Sequence, residues 1–216
     1  MNTVSNLLSL SVEKHPDRIA VVEGGQRITY KTLDSMVRSL SSFLILRGLG
    51  RGDRVAIFLP NSIEFITSFF SILSIGAISI PINTSYKEEE IRFYLSHSSA
   101  RLVLTEEELK PLAERASTGT DASVAVIKGN KTEWPFSKSN ITNNTKIQIK
   151  PDDEAIYLYS TGSTGKPKRV ARTHFNLTAL ADNHTRTVGW TEEDRILFVV
   201  PLSHTYAFGN FISAVK

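Results

Sequence analysis

Ser160-Thr161-Gly162-Ser163-Thr164-Gly165-Lys166-Pro167-Lys168 brings together small hydroxyl residues, two glycines and two lysines. It follows directly on an apolar run, Ala155-Ile156-Tyr157-Leu158-Tyr159, that reads as a strand. The stretch would therefore leave the end of a sheet, where open α/β sheets receive their ligands. Glycine lets backbone N–H groups turn toward an anion with no Cβ in the way. The hydroxyls of Ser160, Thr161, Ser163 and Thr164 add donors, and Lys166 and Lys168 add positive charge. The chemistry suggested is a phosphate cradle; the plain alternative is a Gly/Ser turn with incidental lysines.

Known nucleotide loops narrow that reading. A Walker loop needs four residues between its glycines and Ser or Thr after the lysine, whereas here the order is G-x-x-G-K and Pro167 follows. The dinucleotide pattern G-x-G-x-x-G is absent as well. So is the G-x-S-x-G of a serine-hydrolase elbow. No pair among His15, His97, His174, His184 and His204 has zinc-ligand spacing with acidic partners.

The stretch resembles the signature of the adenylate-forming (AMP-binding) superfamily: an aromatic residue, Ser/Thr-rich residues, then G-S/T-T-G-x-P-K. This superfamily includes acyl- and aryl-CoA ligases, luciferases and peptide-synthetase adenylation domains. Flanking segments extend the resemblance in the order the family has them. They are Pro16-Asp17-Arg18-Ile19-Ala20 with Ile28 to Leu33, Gly52 to Ala56 with Leu59-Pro60-Asn61-Ser62, Ile75 to Asn83, and Val200 to Gly209. It runs from about Leu7 to Gly209, nearly the whole chain.

The resemblance implies ATP-dependent activation of a carboxylic acid to an acyl-adenylate, followed by transfer to the thiol of coenzyme A or of a carrier protein's phosphopantetheine arm. It assigns Ser160, Thr161, Gly162, Ser163, Thr164, Gly165, Lys166 and Lys168 to the ATP phosphates. Thr164 is the candidate contact to Mg2+, its alternative role being to satisfy the loop's own backbone. His204 is implied at the mouth of the acyl pocket, where amino-acid-activating members usually carry an Asp-containing segment. A fatty or aromatic acid is the expected substrate, with an amino-acid-activating domain as the alternative. Arg169 departs from the glycine these ligases most often have after the loop lysine, and phosphate or solvent could equally claim it. Full-length members continue well beyond this point of the sequence. The expectation is thus the N-terminal portion of a large domain, without the C-terminal domain, inactive alone and prone to self-association. A short non-enzymatic nucleotide- or phosphate-binding module is the rival.

The totals agree with such a protein. A chain of 216 residues can bury one α/β core. The net charge of +3 comes from 25 basic and 22 acidic residues, interspersed, with no basic stripe carrying interleaved aromatics; no nucleic-acid partner is expected. The absence of cysteine excludes disulfides, zinc–thiolate sites and a cysteine nucleophile, and fits a reducing compartment. The first ten residues lack a basic start and a long apolar region, so a cytoplasmic location is expected. The most membrane-like run, Ile63 to Ile82, is split by Gly76 into pieces shorter than the ~20 apolar residues of a spanning helix. It is expected to be core, not an integral membrane segment.

The elements that must position the loop alternate. Thr29 should cap a helix whose apolar face runs from Leu33 to Leu44 and which ends at Gly48. A strand over 55–59, an all-round apolar helix over 62–75 and a strand over 77–80 follow. Ser85 with Glu88 predicts a capping box for a helix through about His97. A strand over 101–104, a helix over 106–115 and a strand over 124–127 continue the series. Residues 129–151 are Asn-, Ser-, Thr- and Lys-rich and read as a surface loop or linker. Beyond the phosphate loop come a short strand over 170–172, a helix from Asn176 and a buried strand over 195–200. This β-α-β order predicts an α/β fold of mostly parallel sheet with helices on both faces.

Overall fold

Thr3, Thr29, Ser62 and Thr173 each stand where a helix begins, and each side-chain oxygen accepts an N–H of the first turn, as at Thr32 (3.1 Å) and Phe65 (3.1 Å). The computed structural model describes residues 3–127, 147–160 and 167–215. In chain order its elements are α1 (Val4–Lys14), β1 (Ile19–Glu23), β2 (Gln26–Thr29), α2 (Tyr30–Leu46), β3 (Arg54–Phe58), α3 (Ile63–Ser74) and β4 (Ile78–Pro81). Then come α4 (Glu88–Ser98), β5 (Leu102–Thr105), α5 (Lys110–Ser117), β6 (Ser123–Val126), β7 (Glu154–Ser160), β8 (Lys168–Thr173), α6 (His174–Val188) and α7 (Thr205–Val215).

β1 and β2 form a separate hairpin about Gly24-Gly25. The other strands make one six-stranded sheet in the order β6-β5-β3-β4-β7-β8. Every neighbouring pair is parallel except β7 and β8. Side chains alternate across the strands. Val55, Ile57, Leu102, Leu104, Ile156 and Leu158 enter a core with α1, α2, α3, α6 and α7. Ala56, Phe58, Ile80, Val103 and Tyr157 enter a second core with Ile91, Tyr94 and Leu95 of α4 and Ala113 and Ala116 of α5. The result is the layered α/β/α arrangement expected, with α3 buried along its length between the sheet and α2. No helix among the described residues is long and apolar enough to cross a membrane.

Gly76 makes the turn from α3 into β4 at φ +71°, and a Cβ there would stand 3.2 Å from the Arg51 side chain. Only glycine satisfies both constraints without strain.

Three expectations are corrected. The residues over 195–200 join no sheet; Leu197 and Val199 are 85% and 80% exposed while Ile196, Phe198 and Val200 face inward. The alternation is that of a strand, but no described strand pairs with it. The N-cap of α4 is Lys87, whose N–H donates to the Glu90 carboxylate at 2.8 Å, while Ser85 turns back to Asn83 Oδ1. Three successive glutamates, Glu88 to Glu90, favour this later start by facing the positive end of the helix. Finally, α5 begins at Lys110, with Pro111 in its first turn, instead of at Glu106. The linker expected over 129–151 falls largely outside the described residues.

Candidate active site

All five parallel strands point the same way, so Ser160 at the end of β7 stands on the carboxyl edge of the sheet. Ser160 and Lys168 are register partners across β7 and β8. The nine-residue stretch thus connects two adjacent antiparallel strands, with its hydroxyl-bearing start facing its lysine-bearing end. Thr161, Gly162, Ser163, Thr164, Gly165 and Lys166 lie outside the described residues. Lys168 is exposed.

Aromatic packing fixes the strand that delivers Ser160. The Tyr159 ring lies 4.2 Å from that of Tyr94, centroid to centroid, and its hydroxyl is 3.2 Å from His97 Nδ1. His97 in turn stacks on Phe93 at 5.3 Å. Burial raises the Tyr159 hydroxyl above the usual phenol range. One residue pair earlier, the Arg169 guanidinium sits 4.6 Å from the Tyr157 ring centroid, a cation–π contact. Arg169 is exposed and lies along the strands. Burial, and then the 2.6 Å bond to Glu154, push Tyr157 up to about 12.

His204 lies at the start of α7 and is exposed. Its N–H donates to the Pro201 carbonyl at 2.9 Å, and its carbonyl accepts from Ala207 at 2.9 Å. Its Nδ1 accepts the Tyr206 N–H at 3.3 Å. In the neutral ring that places the proton on Nε2, leaving one donor for an oxygen of a ligand. The segment ahead of His204 is tied to Asn61, just beyond the carboxyl end of β3. The sheet order separates β3 from β7 by β4 alone, roughly 10 Å of sheet width. The chain thus gathers the two ends of the 160–168 stretch and its His204 segment on one edge. Among the described residues, no group of three or more His, Cys, Asp or Glu could hold a metal ion.

The chain and its fold have known counterparts. The AMP-binding enzyme family matches residues 8–216. The chain belongs to the AMP-binding enzyme family. It is 32% identical to the oxalate–CoA ligase of Arabidopsis thaliana over 95% of this chain and 41% of that protein. It is 31% identical to bacitracin synthase 2 of Bacillus licheniformis over 93% of this chain and 7% of that protein. The fold matches a long-chain-fatty-acid–CoA ligase (FadD1) from Archaeoglobus fulgidus with a TM-score of 0.87 at 23% identity, over 99% of this chain and 45% of that one. The chain therefore spans less than half the length of these relatives.

Asn61 was not singled out for a role by sequence reasoning, although its motif was. The signal was a polar residue after a buried strand at the ligand-binding edge; its partners, more than 130 residues away, were invisible. The same holds for His97, whose contact with Tyr159 crosses 62 residues.

Proposed function

We propose that this chain supplies the phosphate-gripping loop and part of the acyl pocket of an ATP-dependent acid–thiol ligase acting on a fatty or aromatic acid. The observation that carries the reading is the pairing of Ser160 with Lys168 on the carboxyl edge of the sheet, in a member of the AMP-binding family. A substrate carboxylate oxygen attacks the α-phosphorus of ATP. The bond from that phosphorus to the oxygen bridging to the β-phosphate breaks, and pyrophosphate leaves. A thiolate of coenzyme A or of a carrier's phosphopantetheine then attacks the acyl carbon and AMP departs.

Lys166, Lys168, the backbone N–H groups and the hydroxyls of Ser160, Thr161, Ser163 and Thr164 would hold the β- and γ-phosphates while charge builds on them. His204 would donate from Nε2 to an oxygen near the α-phosphate. Mg2+ would arrive with the nucleotide, its remaining contact a hydroxyl such as that of Thr164. The chain alone would bind ATP and turn over nothing, because the longer relatives carry the rest of the machinery; a cytoplasmic setting supplies both ATP and thiol.

Pyrophosphate exchange into ATP, run on the full-length gene product over fatty, aromatic and amino acids, tests this. Exchange dependent on a fatty or aromatic acid is expected, falling at least about 100-fold in Lys168→Ala and at least about tenfold in His204→Ala. Exchange with amino acids alone would move the chain to the amino-acid-activating branch. Exchange with no acid at all would refute the activity.

A further inference from the structure

Asn61 uses both ends of its amide on one distant segment. Its Oδ1 accepts the Leu202 N–H at 2.6 Å, and its Nδ2 donates to the carbonyls of Val200 at 2.9 Å and Phe198 at 3.4 Å. These backbone groups belong to the extended residues that no described strand accompanies. One side chain therefore satisfies what a neighbouring strand would otherwise satisfy. Asn61 itself stands on a fixed base. Ser62 caps α3 through the Phe65 N–H at 3.1 Å, and the Glu23 carboxylate accepts the Ile63 N–H at 2.7 Å.

From this base the linkage to His204 is short. Leu202 is held by Asn61, the Pro201 carbonyl receives the His204 N–H, and the Tyr206 N–H holds His204 Nδ1. We propose that Asn61 is a positioning residue that sets the placement and tautomer of His204 by clamping residues 198–202 to the end of β3. The clamp rests on the reading of His204 given above only for its catalytic consequence; the geometry itself stands apart from it.

The test uses Asn61→Ala and Asn61→Asp. The second keeps the volume and the acceptor for Leu202 but sets a carboxylate against two carbonyl oxygens. In Asn61→Ala, amide exchange at Leu202 is expected to accelerate at least about tenfold while β3 and β5 stay protected. The 15N shifts of the His204 ring are expected to move from a single Nε2–H tautomer toward an average of both. Should Asn61→Ala fail to fold, the His204 shifts of Asn61→Asp decide, and movement toward the average is again expected. An unchanged tautomer in the variant that folds, or an unchanged Leu202 amide in Asn61→Ala, overturns the proposal.

In the full-length gene product Asn61→Ala should lower kcat for pyrophosphate exchange about tenfold, and add nothing further in a His204→Ala background. An undiminished loss in that background shows Asn61 acting by another route and also overturns it. A wild-type protein that exchanges with no acid refutes the ligase reading instead, leaving the amide and ring measurements to decide the clamp.

Discussion

His174 shows what a single buried side chain contributes to this fold. It is fully buried at the start of α6; its Nδ1 accepts the Val4 N–H at 3.3 Å and its Nε2 has no hydrogen-bond partner among the described residues. Burial lowers its pKa to about 4, partly offset by the nearby Asp153 charge. The unfolded chain, with an ordinary imidazole, binds the proton more readily than the folded one. Stability attributable to His174 is therefore complete above about pH 6.5 and is lost as the pH falls toward 4, by an amount on the order of 3 kcal/mol. Urea denaturation between pH 4 and 7 should show this slope, and His174→Asn should flatten it. Its full burial at the start of α6 makes His174 a packing residue. That it packs against Val4, 170 residues away, was not legible in the sequence, because no local pattern encodes a contact of that span.

At the scale of elements, Phe69 joins α3 to α7. Its ring lies 5.3 Å from that of Phe208, 5.4 Å from Phe211 and 5.6 Å from Phe70, all of them buried. Phe69→Ala removes the middle of this group, so a loss of ~3–5 kcal/mol in denaturant midpoint measurements is expected, with the β1–β2 hairpin unaffected. The helices were legible where an apolar stripe and a capping hydroxyl agreed, as at Thr29 and Ser62. At α4 two capping patterns competed within three residues, and the glutamate run decided in favour of Lys87. The hairpin at Gly24-Gly25 has only half-buried strands, so no clear apolar alternation accompanies its turn signal. For residues 195–200 the alternation is real, yet a strand also needs a neighbour, and neighbours are a tertiary property. Of the candidate site, the residue types were legible throughout; the pairing of Ser160 with Lys168 and the anchoring of the His204 segment emerge only from the sheet.

Taken as a whole, the molecule leaves several large apolar side chains exposed among its described residues. Leu197 and Val199 project from the extended segment, and Tyr206 and Val188 are exposed as well. The chain spans 41% of the length of the Arabidopsis oxalate–CoA ligase it matches, so its surface need not be that of a free-standing domain. Apolar side chains on an extended segment outside any sheet favour pairing with a second copy. A net charge of +3 offers little repulsion to prevent it. The isolated 216-residue chain is therefore expected to sediment as a dimer or larger species. Leu197→Lys combined with Val199→Lys should return it to a monomer whose melting temperature no longer depends on protein concentration. A wild-type chain that sediments strictly as a monomer would show that these exposed side chains are tolerated in water. A double variant that still associates would place the contact on another face.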